Sequence, residues 1–152
     1  MVLSDAILLQ FSITIAGTGT QTSVGTCQAS GTTAWYSGRT GKYSGSLNFD
    51  GTDDYVSIGD SASLSPTNVV SVAAWVKTSD TLGGIVDKNR ATSYDLHINN
   101  TFRFQVNNTS VNSVTTPSGN WQHVVGTYDG TTLKIYINGK LEATNALSGA
   151  IS

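Results

Sequence analysis

The stretch "YDLHINNTFRFQVN", residues 94–107, decides the fold, because two alternating runs flank an Asn-Asn-Thr turn. A three-residue loop at Asn99–Thr101 would place apolar residues opposite one another on one face, in the pairs Ile98–Phe102 and Leu96–Phe104. A two-residue loop would instead set a histidine against a phenylalanine and mix the two faces. The pattern therefore predicts an antiparallel hairpin with one apolar face and one polar face.

The polar face of this hairpin would carry four hydrogen-bonding side chains: Asp95, His97, Arg103 and Gln105. Two interpretations of this face remain open. A solvated sheet face also alternates polar with apolar residues, so the four side chains could be ordinary surface. Alternatively, they contact a ligand, since hydrogen-bonding groups beside an aromatic plane suit the hydroxyl groups of a sugar.

Two aromatic side chains are candidates for the plane on which such a sugar would stack. Tyr136 would serve if it faces the same way as the polar residues, and Trp35 lies in a Gly/Ser-rich stretch where exposure is expected. Trp75 and Trp121 lie within strongly β-forming runs, so we expect both to be buried in the core. We expect His123, in the same run as Trp121, to be structural.

Short β-forming runs continue along the chain, separated by Gly, Asn and Asp, among them "VVSVAAWVKT" (69–78) and "WQHVVGTY" (121–128). In "IYINGKLEA" (135–143), the Asn138-Gly139 pair predicts a two-residue type I′ hairpin turn, which needs two residues that tolerate positive φ. Strands at this spacing predict an all-β antiparallel sandwich in a single domain, with no helix required.

Composition removes several classes of partner. The chain has 152 residues and a net charge of −2, with only 8 Lys and Arg residues, so it lacks the basic surface that binds nucleic acid or an anionic membrane. Its single cysteine, Cys27, cannot form an internal disulfide. The apolar stretch 5–17 has no preceding Lys or Arg and is too short to span a bilayer, so we interpret it as a strand rather than a clear signal peptide.

Three carboxylates, Asp50, Asp53 and Asp54, fall close together in "NFDGTDDYVSI" (48–58). Asp50-Gly51 suits a tight turn, and the other two residues lie where the chain enters the next strand. Clustered oxygen ligands beside glycine also suit calcium. Turn formation and a calcium site both remain open.

Several segments together resemble the laminin-G-like, concanavalin A-like lectin/glucanase jelly-roll domains of the bacterial type. They are "GSLNFDGTDDYVSIGDSASLSPTN" (45–68), "VSVAAWVKTSD" (70–80) and "NWQHVVGTYDGTTLKIYINGKLEA" (120–143). The resemblance extends from about residue 45 to residue 152. It implies two curved antiparallel sheets, carbohydrate binding or adhesion, frequent use of calcium, and an extracellular or cell-surface location.

The sequence departs from the family at both ends. Residues 1–44 are atypical, and the last strand usual in the family is not visible before Ser152. An unpaired sheet edge would promote association into a homo-oligomer. We therefore expect residues 6–16 to fill the missing place, in the same chain or in a neighbouring copy.

Catalysis by the usual machinery of this fold is not expected. Glycoside hydrolysis requires two carboxyl groups across the scissile bond, and the family's alternating Glu-x-Asp-x-x-Glu strand does not occur here. The single glutamate, Glu142, falls at an expected solvated strand position. We predict a non-catalytic, lectin-like module that binds carbohydrate. The alternative is a structural or adhesive, self-assembling sandwich without a sugar ligand, or a fragment of a longer protein.

Overall fold

A computed structural model describes residues 8–10, 42, 47–49, 58–90 and 92–152 of the chain. The strands within these residues are β1 (Leu8–Gln10), β2 (Leu47–Asn48), β3 (Val70–Lys77), β4 (Leu82–Lys88), β5 (Tyr94–Asn99), β6 (Thr101–Val106), β7 (Thr109–Asn112), β8 (Trp121–Tyr128), β9 (Thr132–Ile137) and β10 (Lys140–Ala146). The one helical segment in this part of the chain is a single 3₁₀ turn, Ala62–Leu64.

The strands form two antiparallel sheets that pack face to face. One sheet has six strands in the order β10-β9-β8-β3-β1-β2, and the other has four in the order β4-β5-β6-β7. Every pair of neighbouring strands is antiparallel. The prediction of an all-β antiparallel sandwich is confirmed.

The core lies between the two sheets and follows from strict alternation along the strands. In β8 and β9, every second residue is buried and the residues between them are half-buried. The largest fully buried side chains come from both sheets: Phe49, Ile85, Leu96, Ile98, Phe102, Phe104, Tyr128, Leu133 and Ile135. The two sheets come into close contact where the ring of Phe104 lies over Gly126, which has no side chain.

Both predicted hairpins have the expected turns. In the β5–β6 hairpin, Leu96 pairs with Phe104 and Asn99 pairs with Thr101, so the three-residue loop is confirmed. Asn100, at the tip, has φ +61°. In the β9–β10 hairpin, Asn138 and Gly139 have φ values of +52° and +82°, as a type I′ turn requires.

The described part of the amino-terminal stretch enters the six-stranded sheet of its own chain. Leu8 pairs with Lys77 on one side and with Asn48 on the other, so β1 lies between β3 and β2. For the three residues Leu8–Gln10, this agrees with the expectation that residues 6–16 join the sheet.

The expected burial of Trp75 and Trp121 is wrong. Both are half-buried on the outer face of the six-stranded sheet, because Val76 and Gln122 take the inward positions beside them. The Trp75 ring stacks on His123 with 5.0 Å between ring centroids. The Lys42 Nζ lies 5.2 Å from the centre of the Trp75 ring.

The sequence predicted a solvated position for Glu142, but its side chain joins the edges of the two sheets. Its Oε2 accepts hydrogen bonds from the backbone N–H groups of Val114 and Thr115 at 2.9 and 2.8 Å, and its Oε1 accepts one from Thr115 Oγ1. Partial burial would raise the pKa of Glu142, but these hydrogen bonds lower it below its ordinary value of 4.5. Beside it, Asn145 Nδ2 donates to Ser110 O at 2.8 Å.

Glu142→Gln should lower the free energy of unfolding at neutral pH. In acid, the difference in this free energy between the variant and the parent protein should disappear. Because the pKa of Glu142 is lower in the folded chain than in the unfolded chain, its contribution is complete above pH 4.5. It disappears as the pH falls through the lower, folded value. Urea titrations of both proteins between neutral pH and about pH 3 measure this. A gap that stays constant across the range would contradict it.

Gly126→Ala should destabilise the fold by about 1–3 kcal/mol, because the added methyl group overpacks the core. A Cβ at Gly126 would lie 2.2 Å from Phe104 Cγ, whereas a Cβ at Gly59 would meet no heavy atom within 4 Å. Gly59→Ala is therefore the matched control, and it should change the free energy of unfolding by less than about 0.5 kcal/mol. Equal urea midpoints for the two variants would contradict this account of the sheet contact.

Candidate functional site

The outer face of the four-stranded sheet carries a cleft of about 480 Å³. The predicted residues Asp95, His97, Arg103 and Gln105 are brought together on this face by the β5–β6 register, in which Asp95 pairs with Gln105 and His97 with Arg103. The described residues that line the cleft are Leu82, Gly83, Gly84, Arg90, His97, Ile98, Asn99, Arg103, Gln105 and Asn108. Asp95 lies beside this lining.

The cleft exists at this position because β4 contributes glycine where a side chain would otherwise stand. Gly84 lies directly opposite His97, and Gly83 lies opposite Ile98. A β-bulge follows between Gly84 and Val86, where the register of β4 against β5 shifts. Directly opposite residues in an antiparallel pair point to the same face, so a side chain at Gly84 would occupy the space beside the His97 ring.

Three of the four polar side chains on this face are buried and not solvated. Asp95, His97 and Gln105 are 0%, 4% and 5% exposed, respectively. A carboxylate buried to this degree requires a compensating partner. The Asp95 Oδ2 accepts a hydrogen bond from Arg90 Nε at 3.1 Å. The His97 Nδ1 contacts the same oxygen without being aligned for a hydrogen bond.

Arg90 organises the buried end of the site, although sequence analysis did not select it. It lies in the turn between β4 and β5, where its backbone N–H donates to Asp87 Oδ1 at 3.0 Å and its backbone carbonyl accepts from Gln105 Nε2 at 2.8 Å. Asp87 and Asp95 face each other across the two strands. The Arg90 guanidinium offsets the repulsion of these like charges. In the sequence, an arginine shortly after an aspartate near the end of a strand is the feature that could have identified Arg90 as part of the site.

Arg103 stands apart from this network. It is half-buried, and within the described residues its buried Nε has no hydrogen-bond acceptor. Its neighbours across the sheet are His97 on β5 and Asn112 on β7, neither of which is a carboxylate. The cleft therefore holds a guanidinium whose charge no described residue pairs.

Tyr136 does not join the polar residues. It lies on β9 in the six-stranded sheet and alternates with the buried Ile135 and Ile137, so its side chain faces outward on the opposite side of the sandwich. Its cross-strand neighbours there are Val125 and Leu141. Because Tyr136 does not face the same way as the polar residues, it does not supply a stacking plane for them.

The remaining predicted site residues, Trp35, Asp50, Asp53 and Asp54, lie outside the described residues. The calcium site is therefore still a prediction. Within the ranges that the structure does describe, no group of three or more His, Cys, Asp or Glu side chains is placed to hold a metal ion. In the same ranges, no helix is long and apolar enough to cross a membrane.

A second cavity, of about 510 Å³, lies near the carboxyl end of the chain and is lined in part by Asp60, Lys88 and Ser152. Here Lys88 Nζ forms an ion pair with Asp60 Oδ1. The hydrogen bond and charge of Lys88 lower the pKa of Asp60. Among the described residues that line this cavity, the charged side chains Lys88 and Asp60 pair with each other, so the cleft beside Arg103 is the stronger candidate for a ligand.

Arg90→Met should lower the free energy of unfolding by about 1–2 kcal/mol, because it leaves the buried Asp95 carboxylate without its donor. The figure is modest because the Arg90 side chain is half exposed, which allows water to screen the pair. Arg103→Met is the matched control, since it removes a guanidinium of the same face that has no described partner. Urea unfolding should place Arg103→Met at or above the stability of the parent, because the variant loses a half-buried charge that no described residue pairs. Equal losses in the two variants would contradict the assigned role of Arg90.

Comparison with known proteins identifies the family. A family model described as the concanavalin A-like lectin/glucanases superfamily matches residues 50–152, which is more than half of the chain. This match confirms the predicted resemblance over nearly all of its range. No curated protein and no solved structure matches the chain.

Proposed function

The chain belongs to the concanavalin A-like lectin/glucanases superfamily, and from that membership we propose that it is a non-catalytic, carbohydrate-binding module. The ligand would lie in the cleft on the outer face of the four-stranded sheet. The observation that carries the proposal is the unpaired Arg103 guanidinium in that cleft, because a half-buried charge without a partner is costly unless a ligand satisfies it.

The size and the free polar groups of the cleft suit a short saccharide. Its volume of about 480 Å³ falls within the range of small-molecule sites. The Gln105 Nε2 already donates to Arg90 O, which leaves Gln105 Oε1 to accept a hydrogen bond from a sugar hydroxyl. Asn99 and Asn108 add amide groups at the rim. Arg103 donates, and these amides both donate and accept.

Binding without catalysis is supported by the acid–base groups of the cleft. No carboxylate is among the described residues that line it. The nearby Asp95 is held by Arg90 and His97, and its cross-strand neighbour Asp87 accepts a backbone hydrogen bond. Glycoside hydrolysis requires one carboxyl group as an acid and a second one across the scissile bond. The arrangement here fits recognition.

Such a shallow, polar site would bind a single saccharide weakly. Useful binding would then come from several sites acting on one polymer or surface. We place the module outside the cell or at the cell surface, where polymeric glycans are presented, and keep calcium at Asp50, Asp53 and Asp54 as part of the proposal.

Assembly through a sheet edge is the second candidate function. Among the described strands, β10 ends the six-stranded sheet and pairs only with β9. Leu141 on this edge strand is 45% exposed. Edge strands with exposed apolar residues favour pairing with another copy. A homo-oligomer without a glycan ligand would support this function in place of the first.

A glycan array, probed with calcium and again with EDTA, tests the proposal on the purified protein. We expect binding to a defined class of glycan, and we expect Arg103→Ala to weaken it about tenfold or more, as the loss of a charged hydrogen bond would. Loss of binding in EDTA would support a calcium role for the aspartates.

Lys77→Ala is the matched control, because Lys77 is an exposed cation on the outer face of the other sheet. It should leave glycan binding unchanged. A folded Arg103→Ala variant with full binding, or a loss confined to Lys77→Ala, would remove the cleft as the site. An oligomer by light scattering with no glycan signal in either condition would favour assembly.

A further inference from the structure

We propose that the cleft selects acidic saccharides, in which a uronate carboxylate or a sulfate group of the sugar pairs with Arg103. This inference rests on the proposed function and adds the chemical class of the ligand. The position of Arg103 supports it, because no described carboxylate contacts this guanidinium in the cleft.

Arg103 is the cation of the cleft that no described carboxylate contacts. The Arg90 guanidinium is offset by Asp95, which it contacts directly at 3.1 Å. The Asp87 carboxylate is exposed and turned to the Arg90 backbone N–H. Arg103 remains, with a buried Nε and no ion pair among the described residues. In net charge, Asp87 and Asp95 balance Arg90 and Arg103. A ligand that enters this space nevertheless meets the Arg103 guanidinium, which no described carboxylate contacts.

The guanidinium of Arg103 discriminates between neutral and anionic ligands. A neutral hydroxyl would accept a single hydrogen bond and leave the positive charge unbalanced. A carboxylate or a sulfate accepts two parallel N–H bonds from the guanidinium fork, and such charge-assisted bonds are roughly twice as strong as neutral ones. The gain is larger here because the guanidinium is partly removed from water, and water screens electrostatic attraction strongly.

The described lining residues of the cleft are mainly polar or charged. Apart from the His97 ring, no aromatic side chain is among its described lining residues. The half-exposed tryptophan and tyrosine side chains among the described residues all lie on the outer face of the other sheet. They are Trp75, Trp121 and Tyr136. The described lining residues therefore offer a ligand mainly hydrogen bonds and charge. An anionic sugar makes the best use of the groups present.

The decisive comparison uses pairs of saccharides in which one kind of anionic group is removed. Oligogalacturonide and its methyl ester differ in free carboxylates, and a heparin-derived oligosaccharide and its desulfated form, which keeps its carboxylates, differ in sulfate. Isothermal titration at low ionic strength, with parent protein, should give at least about tenfold tighter binding for the member of one pair that keeps the anionic group, corresponding to about 1.4 kcal/mol. Whether the uronate pair or the sulfate pair responds identifies the source of the anion.

Arg103→Gln and Arg103→Lys locate this preference. The glutamine variant should bind both members of that pair equally, and the lysine variant should keep only part of the preference, because an ammonium group lacks the planar fork. Lys77→Gln, on the opposite face, should keep the full preference. Circular dichroism and urea unfolding establish that each variant is folded.

The outcomes separate this inference from the proposed function. If both members of every pair bind equally to the parent and Arg103→Gln weakens both, the cleft binds sugar but the acidic preference is wrong. If only neutral glycans bind, the inference is likewise overturned while the proposed function stands. If no saccharide binds at any charge, the proposed function itself fails. A charge preference that survives in Arg103→Gln would place the anion elsewhere and overturn the inference.

Discussion

The register of the β5–β6 hairpin is the constraint on which both the core and the candidate site depend. With Asn100 at the tip in the left-handed conformation, Leu96 and Phe104 face the second sheet, and Asp95 and His97 face away from it. A shift of one residue along either strand would exchange the two faces. It would place charged groups in the core and apolar groups in the cleft, so one turn determines the position of both.

The two sides of this hairpin impose different demands on the rest of the chain. On the inner side, the ring of Phe104 requires a glycine opposite, which β8 supplies at Gly126. On the outer side, the buried Asp95 requires a cation, which Arg90 supplies from the preceding turn. Gly84 then leaves a space beside the His97 ring, into which no side chain of β4 projects. The core and the cleft thus each depend on a glycine directly opposite the hairpin.

Sequence alone predicts the local features and fails where long-range packing decides. The alternation around Asn100 and the Asn138-Gly139 pair correctly predicted both hairpins, because register and turn chemistry are properties of adjacent residues. Alternation also shows that Trp75 shares a face with the residues two positions before and after it. It does not show which face of the strand points into the core. In β3, small apolar residues fill the core and Trp75 lies outside. The sheet that contains Tyr136 likewise follows only from the pairing of distant strands.

Burial of the polar face was equally beyond sequence reasoning. Asp95 and Gln105 alternate with apolar residues as solvated residues would, and their contacts with Arg90 depend on how the turn after β4 folds back over the sheet. Glu142 is a parallel case, since its hydrogen bonds reach a loop that follows a strand of the other sheet. In both cases, a polar side chain is explained by a partner that only the tertiary structure provides.

The most direct test of the central claim, that the outer face of the four-stranded sheet binds saccharide, is an NMR titration of the isotopically labelled protein with an oligogalacturonide. The account predicts that the Arg103 Nε–H signal and the backbone signals of Gly84 and His97 shift with saturation, while the indole N–H signals of Trp75 and Trp121 do not move. Shifts confined to the two indoles would contradict the account, because they would place the ligand on the outer face of the opposite sheet.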